Sequence, residues 1–215
     1  FDADSEGEEG KYYVFNYDEI KKIENIENFF DIKPEGNWEN KIILVEKKLP
    51  TSEIIKELLK IRLKKAKPFF DDKTQLDLNC LWISSLVAAS EIFPDKKYLD
   101  LAEKFFSKIE KKFIKNKIYH SFSEEVVFIE DYAFLINALI DLSERTMNYK
   151  YKDLAIKFSH EAIQKFYLEN KNIFQKNPKN NTDVFFNPVD IGDNTIPNGN
   201  AIMLINLIRI GMKNE

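Results

Sequence analysis

Three short runs concentrate the polar chemistry of this 215-residue chain. The first is Phe69-Phe70-Asp71-Asp72-Lys73, followed by Asn79. The second is Glu130-Asp131-Tyr132, and the third is Asp193-Asn194-Thr195-Ile196-Pro197-Asn198-Gly199-Asn200. Each stands at the start of an apolar segment with helical spacing. A carboxylate there caps orphan N–H groups and meets the helix dipole favourably, so any one run alone reads as a helix start. Taken together they carry more, because three starts at one end of neighbouring buried helices converge on one mouth. Carboxylates, amides and rings (Tyr132, Phe69, Trp38) facing a shared cavity suit a polyhydroxylated ligand, whose hydroxyls need polar partners and whose C–H faces stack on rings. Two carboxylates there could hydrolyse a glycosidic bond, one as acid and one as base, roughly 6.5–9.5 Å apart if inverting or about 5–5.5 Å if retaining. Asp72, Glu130, Asp131 and Asp193 are the catalytic candidates. Asn79, Asn198, Asn200 and Tyr132 would orient hydroxyls, and Lys73 would stabilise negative charge or pair with Asp72.

The opening DADSEGEEGKYY places Asp2, Asp4, Glu6 and Gly7 at the first, third, fifth and sixth positions of a calcium loop. The twelfth position is Tyr13, where a bidentate Glu belongs, so calcium is not expected. Asp4 and Glu6 remain binding candidates against the plainer reading of a solvated turn. Of two histidines, His160 lies on a charged helix, while His120 follows Ile118-Tyr119 in a connection and is a candidate for substrate binding. Neither has metal-ligand spacing with another His or Cys, so no metal is expected. An epimerase working by proton abstraction would need an acid–base pair, normally His, and His120 is a thin supply. Cys80, the single cysteine, reads as a small buried residue. The sequence has no GxSxG, Walker A or GxGxxG motif, and no cofactor is expected.

The elements that must position these residues are mostly helical. Short strands are expected over Lys11–Asn16 and Lys41–Val45, with a helix over Tyr17–Phe30 between them. Thr51 or Ser52 caps a further helix, which Pro68 closes. Beyond it, a shift of 53 residues lays 83–113 on 136–166. Within it, Tyr98, Asp100, Leu101, Ala102, Lys104, Phe105, Lys112 and Phe113 fall on identical residues from Tyr151 to Phe166. The repeated unit is a helical hairpin with one helix apolar nearly all round and one amphipathic helix with a Lys/Glu face. A third inner-type helix is expected at Asn200–Ile210, where Leu204-Ile205-Asn206 echoes Leu135-Ile136-Asn137. The period is too long for tetratricopeptide or ankyrin units. With long polar connections (Leu168–Asn198, Leu63–Leu76), it favours a closed α/α toroid, of which six helices make about half a ring.

Composition bounds the rest. The 36 acidic and 32 basic residues leave a formal charge of −4, which gives no reason to expect nucleic acid. The 44% apolar content excludes wholesale disorder, and no run approaches the roughly 20 apolar residues of a membrane span. One cysteine excludes a disulfide framework within the chain. A soluble, cytoplasmic protein is expected. The opening at Phe1, without Met, and the close just after an apolar helical run read as a fragment.

DADSEGEEGKYYVF, EGNWENKIIL, KPFFDDK with Asn79, IEDYAFLINALIDL and DNTIPNGN are similar, in this order, to the C-terminal region of the spermatogenesis-associated protein 20 (YyaL-like) family. In that family a thioredoxin-like domain precedes an (α/α)6 toroid related to six-hairpin glycosidases and N-acylglucosamine 2-epimerases. The resemblance implies an all-α fold: residues 1–215 as part of a single toroid domain, a partial (α/α)6 toroid with one or two short β-strands near the N-terminus. The thioredoxin-like domain and the remaining hairpins lie outside it. The chain departs from the family at Phe69, where a His commonly follows the Pro, at Leu78 and Cys80 around Asn79, and at Asn198, where Ser is usual. The resemblance carries a tendency towards carbohydrate metabolism, hydrolase-like or isomerase-like, without naming a reaction. The competing expectation is a non-catalytic binding or scaffold module that partners the thioredoxin-like domain of the complete protein.

Overall fold

The computed structural model describes residues 1–114, 117–121, 126–181 and 185–211. The protein is all-α apart from two small two-stranded sheets. It divides into two compact units, 1–72 and 73–215, where the sequence reading takes 1–215 as one domain.

In the first unit, β1 (Asp4–Ser5) and β2 (Glu8–Glu9) form an antiparallel hairpin. Its turn residues, Glu6 and Gly7, both have positive φ, the geometry a two-residue hairpin loop needs. The run that resembles a calcium loop is therefore a tight turn. The strands expected at 11–16 and 41–45 pair with each other at one bridge only, in which Phe15 and Ile42 exchange main-chain hydrogen bonds of 2.9 and 2.7 Å. The expected helix at 17–30 is likewise broken. It is realised as α1 (Tyr17–Ile20) and a 3-10 turn (Ile26–Asn28), because Asn25 adopts a left-handed conformation at φ 57°. Its Ile20, Ile26 and Phe30 still reach a core that includes Phe15, Ile42, Ile54 and Leu58. The last two belong to α2 (Ser52–Arg62), capped by Thr51 as expected.

Gly36 closes the turn at 33–41. Its φ is +75°, and a Cβ there would lie 2.4 Å from the Lys41 carbonyl oxygen. Gly36→Ala should therefore lower stability by at least about 1–2 kcal/mol. Urea unfolding checks this, and an unchanged midpoint would count against the turn geometry.

The second unit holds α3 (Leu76–Ile92), α4 (Lys97–Phe113), α5 (Ile129–Thr146), α6 (Tyr149–Phe166), the hairpin of β3 (Tyr167–Leu168) and β4 (Ile173–Phe174), and α7 (Gly199–Arg209). The 53-residue register reappears as structure: Leu76 and Ile129 open α3 and α5, while Phe113 and Phe166 close α4 and α6. α3, α5 and α7 form an inner row, with α4 packed on α3 and α6 on α5. α5 is buried along most of its length because it has neighbours on three sides, which explains why it is apolar nearly all round. Polar residues on the inner row are paired across it. Asn137 donates to Ser84, its equivalent one repeat earlier, at 3.0 Å. Arg209 donates to Asn137 at 3.1 Å and forms an ion pair with Asp141 at 2.8 Å. Among the described residues, no helix is long and apolar enough to cross a membrane.

Candidate functional site

The second unit carries a cleft of about 420 Å³ at the N-terminal ends of its inner helices. Asp77 enters it from the start of α3, Glu130 from the start of α5 and Asn198 from the cap of α7, joined by His120, Lys176, Asp190 and Asp193. Main-chain hydrogen bonds fix this convergence. Leu76 N–H donates to the His120 carbonyl at 2.8 Å, tying α3 to the 117–121 segment. Ile129 N–H donates to the Lys176 carbonyl at 3.0 Å, and Lys176 N–H to the Pro188 carbonyl at 2.9 Å, which ties α5 to the connection before α7. Helix N-termini have orphan N–H donors, and here the connecting loops supply acceptors for them.

Asp131 anchors the deepest layer. It is fully buried, accepts the Phe128 N–H at 2.8 Å through Oδ2, and lies 2.9 Å from His120 Nδ1 through Oδ1. A carboxylate only accepts, so Nδ1 carries the imidazole proton. Nε2 lies 3.0 Å from the Gln75 amide nitrogen, so His120 is held at both ring nitrogens. Burial pushes the Asp131 carboxyl above the ordinary range, reinforced by the nearby Asp77 and opposed by the hydrogen bonds from His120 and Phe128.

Glu130 differs from the other acids. It is 8% exposed, and its Oε2 has no hydrogen-bond partner. Burial raises its pKa, with Asp190 and Asp131 adding repulsion and its own N–H and Lys176 opposing. Gly199 gives it room: a Cβ at that position would meet Glu130 Oε1 at 3.3 Å and Ile129 at 3.2 Å. Asp190 pairs with Lys176 at 3.4 Å, and Asp193 accepts the Asn198 N–H at 2.8 Å.

Other sequence candidates have different places. Asn198 caps α7 through Ala201 N–H and holds the Asp190 carbonyl at 2.9 Å. Asn200 is directed to the main chain of Phe174 and the Asp190 carbonyl, beside a different groove. Asn79 donates its amide back to the Gln75 carbonyl at 2.7 Å. Tyr132 points away from the cleft. Its ring is buried against Phe158 and Phe166, its hydroxyl lies 3.1 Å from Glu161 and accepts from Lys165 at 2.6 Å, and burial raises its pKa. Lys73 is exposed at the first position of the second unit. Asp72, Phe69 and Trp38 belong to the first unit, where Asp72 is exposed. Asp4 is exposed there as well, while Glu6 pairs with Lys11 at 3.3 Å and lines a separate cleft of about 350 Å³.

The sequence reading passes over Asp77, Gln75, Lys176 and Asp190. For Asp77 a signal exists, since the repeat register lays it on Glu130. The others sit in segments without periodicity. No family model matches the chain. It is 28% identical over 184 residues to a Caenorhabditis elegans protein named Uncharacterized protein B0495.5, a match covering 80% of this chain and 25% of that protein. The chain therefore spans about a quarter of the length of the curated relative it matches.

Proposed function

We propose that the second unit binds a polyhydroxylated small molecule, a sugar, in the cleft above the inner-helix starts, with Glu130 as its proton donor. The observation that carries this reading is the Glu130 carboxyl: nearly buried, with an oxygen lacking a partner, on a cleft whose lining also includes acids, amides, a lysine and Phe128. A carboxyl whose pKa is raised by burial is held protonated closer to neutral pH, the state a general acid needs. The same cleft holds Asp190 and Asp193, from which a hydrolase would draw its second carboxylate as base. The isomerase subtype is less favoured, because both His120 ring nitrogens are already engaged, by Asp131 and by Gln75. In this reading the chain is toroid material of the spermatogenesis-associated protein 20 kind, working on carbohydrate in the cytoplasm.

A second reading, a non-catalytic module beside a thioredoxin-like domain, draws support from a specific fact. Asp131, Asp193, Asn198 and Asn200 are all engaged in holding their own helix starts and loops. Calorimetric titration with a panel of monosaccharides and short glycans separates the two. Saturable binding that is retained in Glu130→Gln, with turnover lost, supports the first reading. Absence of binding to every member leaves the second.

A further inference from the structure

We propose that Asp77, His120 and Asp131 bind a divalent cation in the wall of this cleft. Each offers one ligand atom, and these atoms all lie within 4.8 Å of one another. Ligands at about 2.1 Å from a common ion are about 3 Å apart when adjacent and about 4.2 Å apart when opposite. The 2.9 Å between His120 Nδ1 and Asp131 Oδ1 matches an adjacent pair. The local charge points the same way. Asp77, Glu130 and Asp131 are 7%, 8% and 0% exposed around a single imidazole, His120, and the lysine on the cleft, Lys176, is paired with Asp190. The unpartnered Glu130 Oε2 is an acceptor without a donor in the same cleft. Three nearly buried carboxylates outnumber the one imidazole among them, an arrangement that is costly without further positive charge, and a cation supplies it.

Two carboxylates and one imidazole suit Mn²⁺, Fe²⁺ or Zn²⁺ better than Ca²⁺, which takes six to eight oxygens. Asp77 and His120 both line the cleft, so further coordination positions face it, open to water or a ligand hydroxyl. Binding through Nδ1 moves the imidazole proton to Nε2. The Gln75 amide then turns its oxygen to accept it, and the Phe128 N–H continues to orient Asp131. The ligands come from positions 77, 120 and 131, a spacing that matches no metal motif, which is why the sequence does not announce the site.

The test uses the whole chain, dialysed against chelator and titrated with MnCl₂ and with ZnCl₂ in the absence of sugar. One site per chain is expected. Asp77→Asn, which leaves the Asp131–His120 contact intact, should weaken binding at least tenfold, with an unchanged circular dichroism spectrum. The ¹⁵N shifts of His120 in the unsubstituted chain should pass from the Nδ1–H to the Nε2–H tautomer on addition of Zn²⁺. Absence of binding heat with an unmoved tautomer overturns the proposal, as does undiminished affinity in a folded Asp77→Asn chain. Because no sugar is present, these outcomes are independent of the carbohydrate reading.

Discussion

Asp131→Ala should destabilise the second unit by about 3 kcal/mol, a large effect for one side chain at the edge of a core. Removal strands two buried donors, the Phe128 N–H and His120 Nδ1–H, and an unmade buried hydrogen bond costs about 1–3 kcal/mol. The Phe128 N–H is the N-cap donor of α5, so losing its partner also loosens the helix start. Asp131→Asn should cost roughly half as much, since its single acceptor oxygen serves one donor while its NH₂ faces the other. The raised Asp131 pKa does not contradict this, because burial penalises the charge while the shape and acceptors remain needed. Chemical denaturation followed by circular dichroism gives both values. Equal midpoints for the unsubstituted and Ala chains would mean that the α5 start is held by something else.

Glu130→Gln should have opposite consequences for stability and activity. As general acid, Glu130 is worth about 10²–10⁴ in rate, so the variant should lose at least 100-fold in turnover of any substrate found. Yet it should unfold later at neutral pH, by about 1 kcal/mol, because the costly ionised form of a nearly buried carboxyl, one of whose oxygens lacks a partner, is removed. Linkage sets the pH window. The folded-state pKa of Glu130 lies above its unfolded value, so the folded protein holds more protons between the two. The Glu130 contribution to stability is therefore fully present below the ordinary carboxylate range and is lost as pH rises through the raised value. Asp131, raised in the same direction, contributes to the same slope. Glu130→Gln should reduce the slope and leave the Asp131 part. A steeper slope, or lower stability at pH 7, would show that the Glu130 charge is compensated after all.

What could be read in the sequence follows from which forces are local. The repeat of 83–113 at 136–166 is visible because burial on one face repeats in register, and both hairpins appear where the identities place them. The α7 start is legible through its Asn198 cap. In the first unit the β-forming residues around Phe15 and Ile42 are visible, yet they pair only at one bridge, and the left-handed Asn25 interrupts a run whose apolar spacing alone reads as helix. Asp131 and Glu130 were visible as a pair of acids, but not that neighbours would divide their roles. One oxygen pair is engaged by Phe128 and His120, while the other carboxyl keeps a bare oxygen. Tyr132 shows the reverse. One position after Asp131 on a helix turns the side chain about 100° away, to Glu161 and Lys165 on α6. Asp77 lay hidden behind the more conspicuous Asp71-Asp72, which belong to the other unit.

The most direct measurement is ¹³C NMR of the Glu130 side-chain carboxyl, assigned by comparison with Glu130→Gln and followed through a pH titration with and without sugars from the panel. A midpoint above that of exposed glutamates, displaced when one sugar is added, is the expected result. A midpoint in the ordinary range, indifferent to every sugar, would contradict the account of Glu130 as a buried acid facing a ligand.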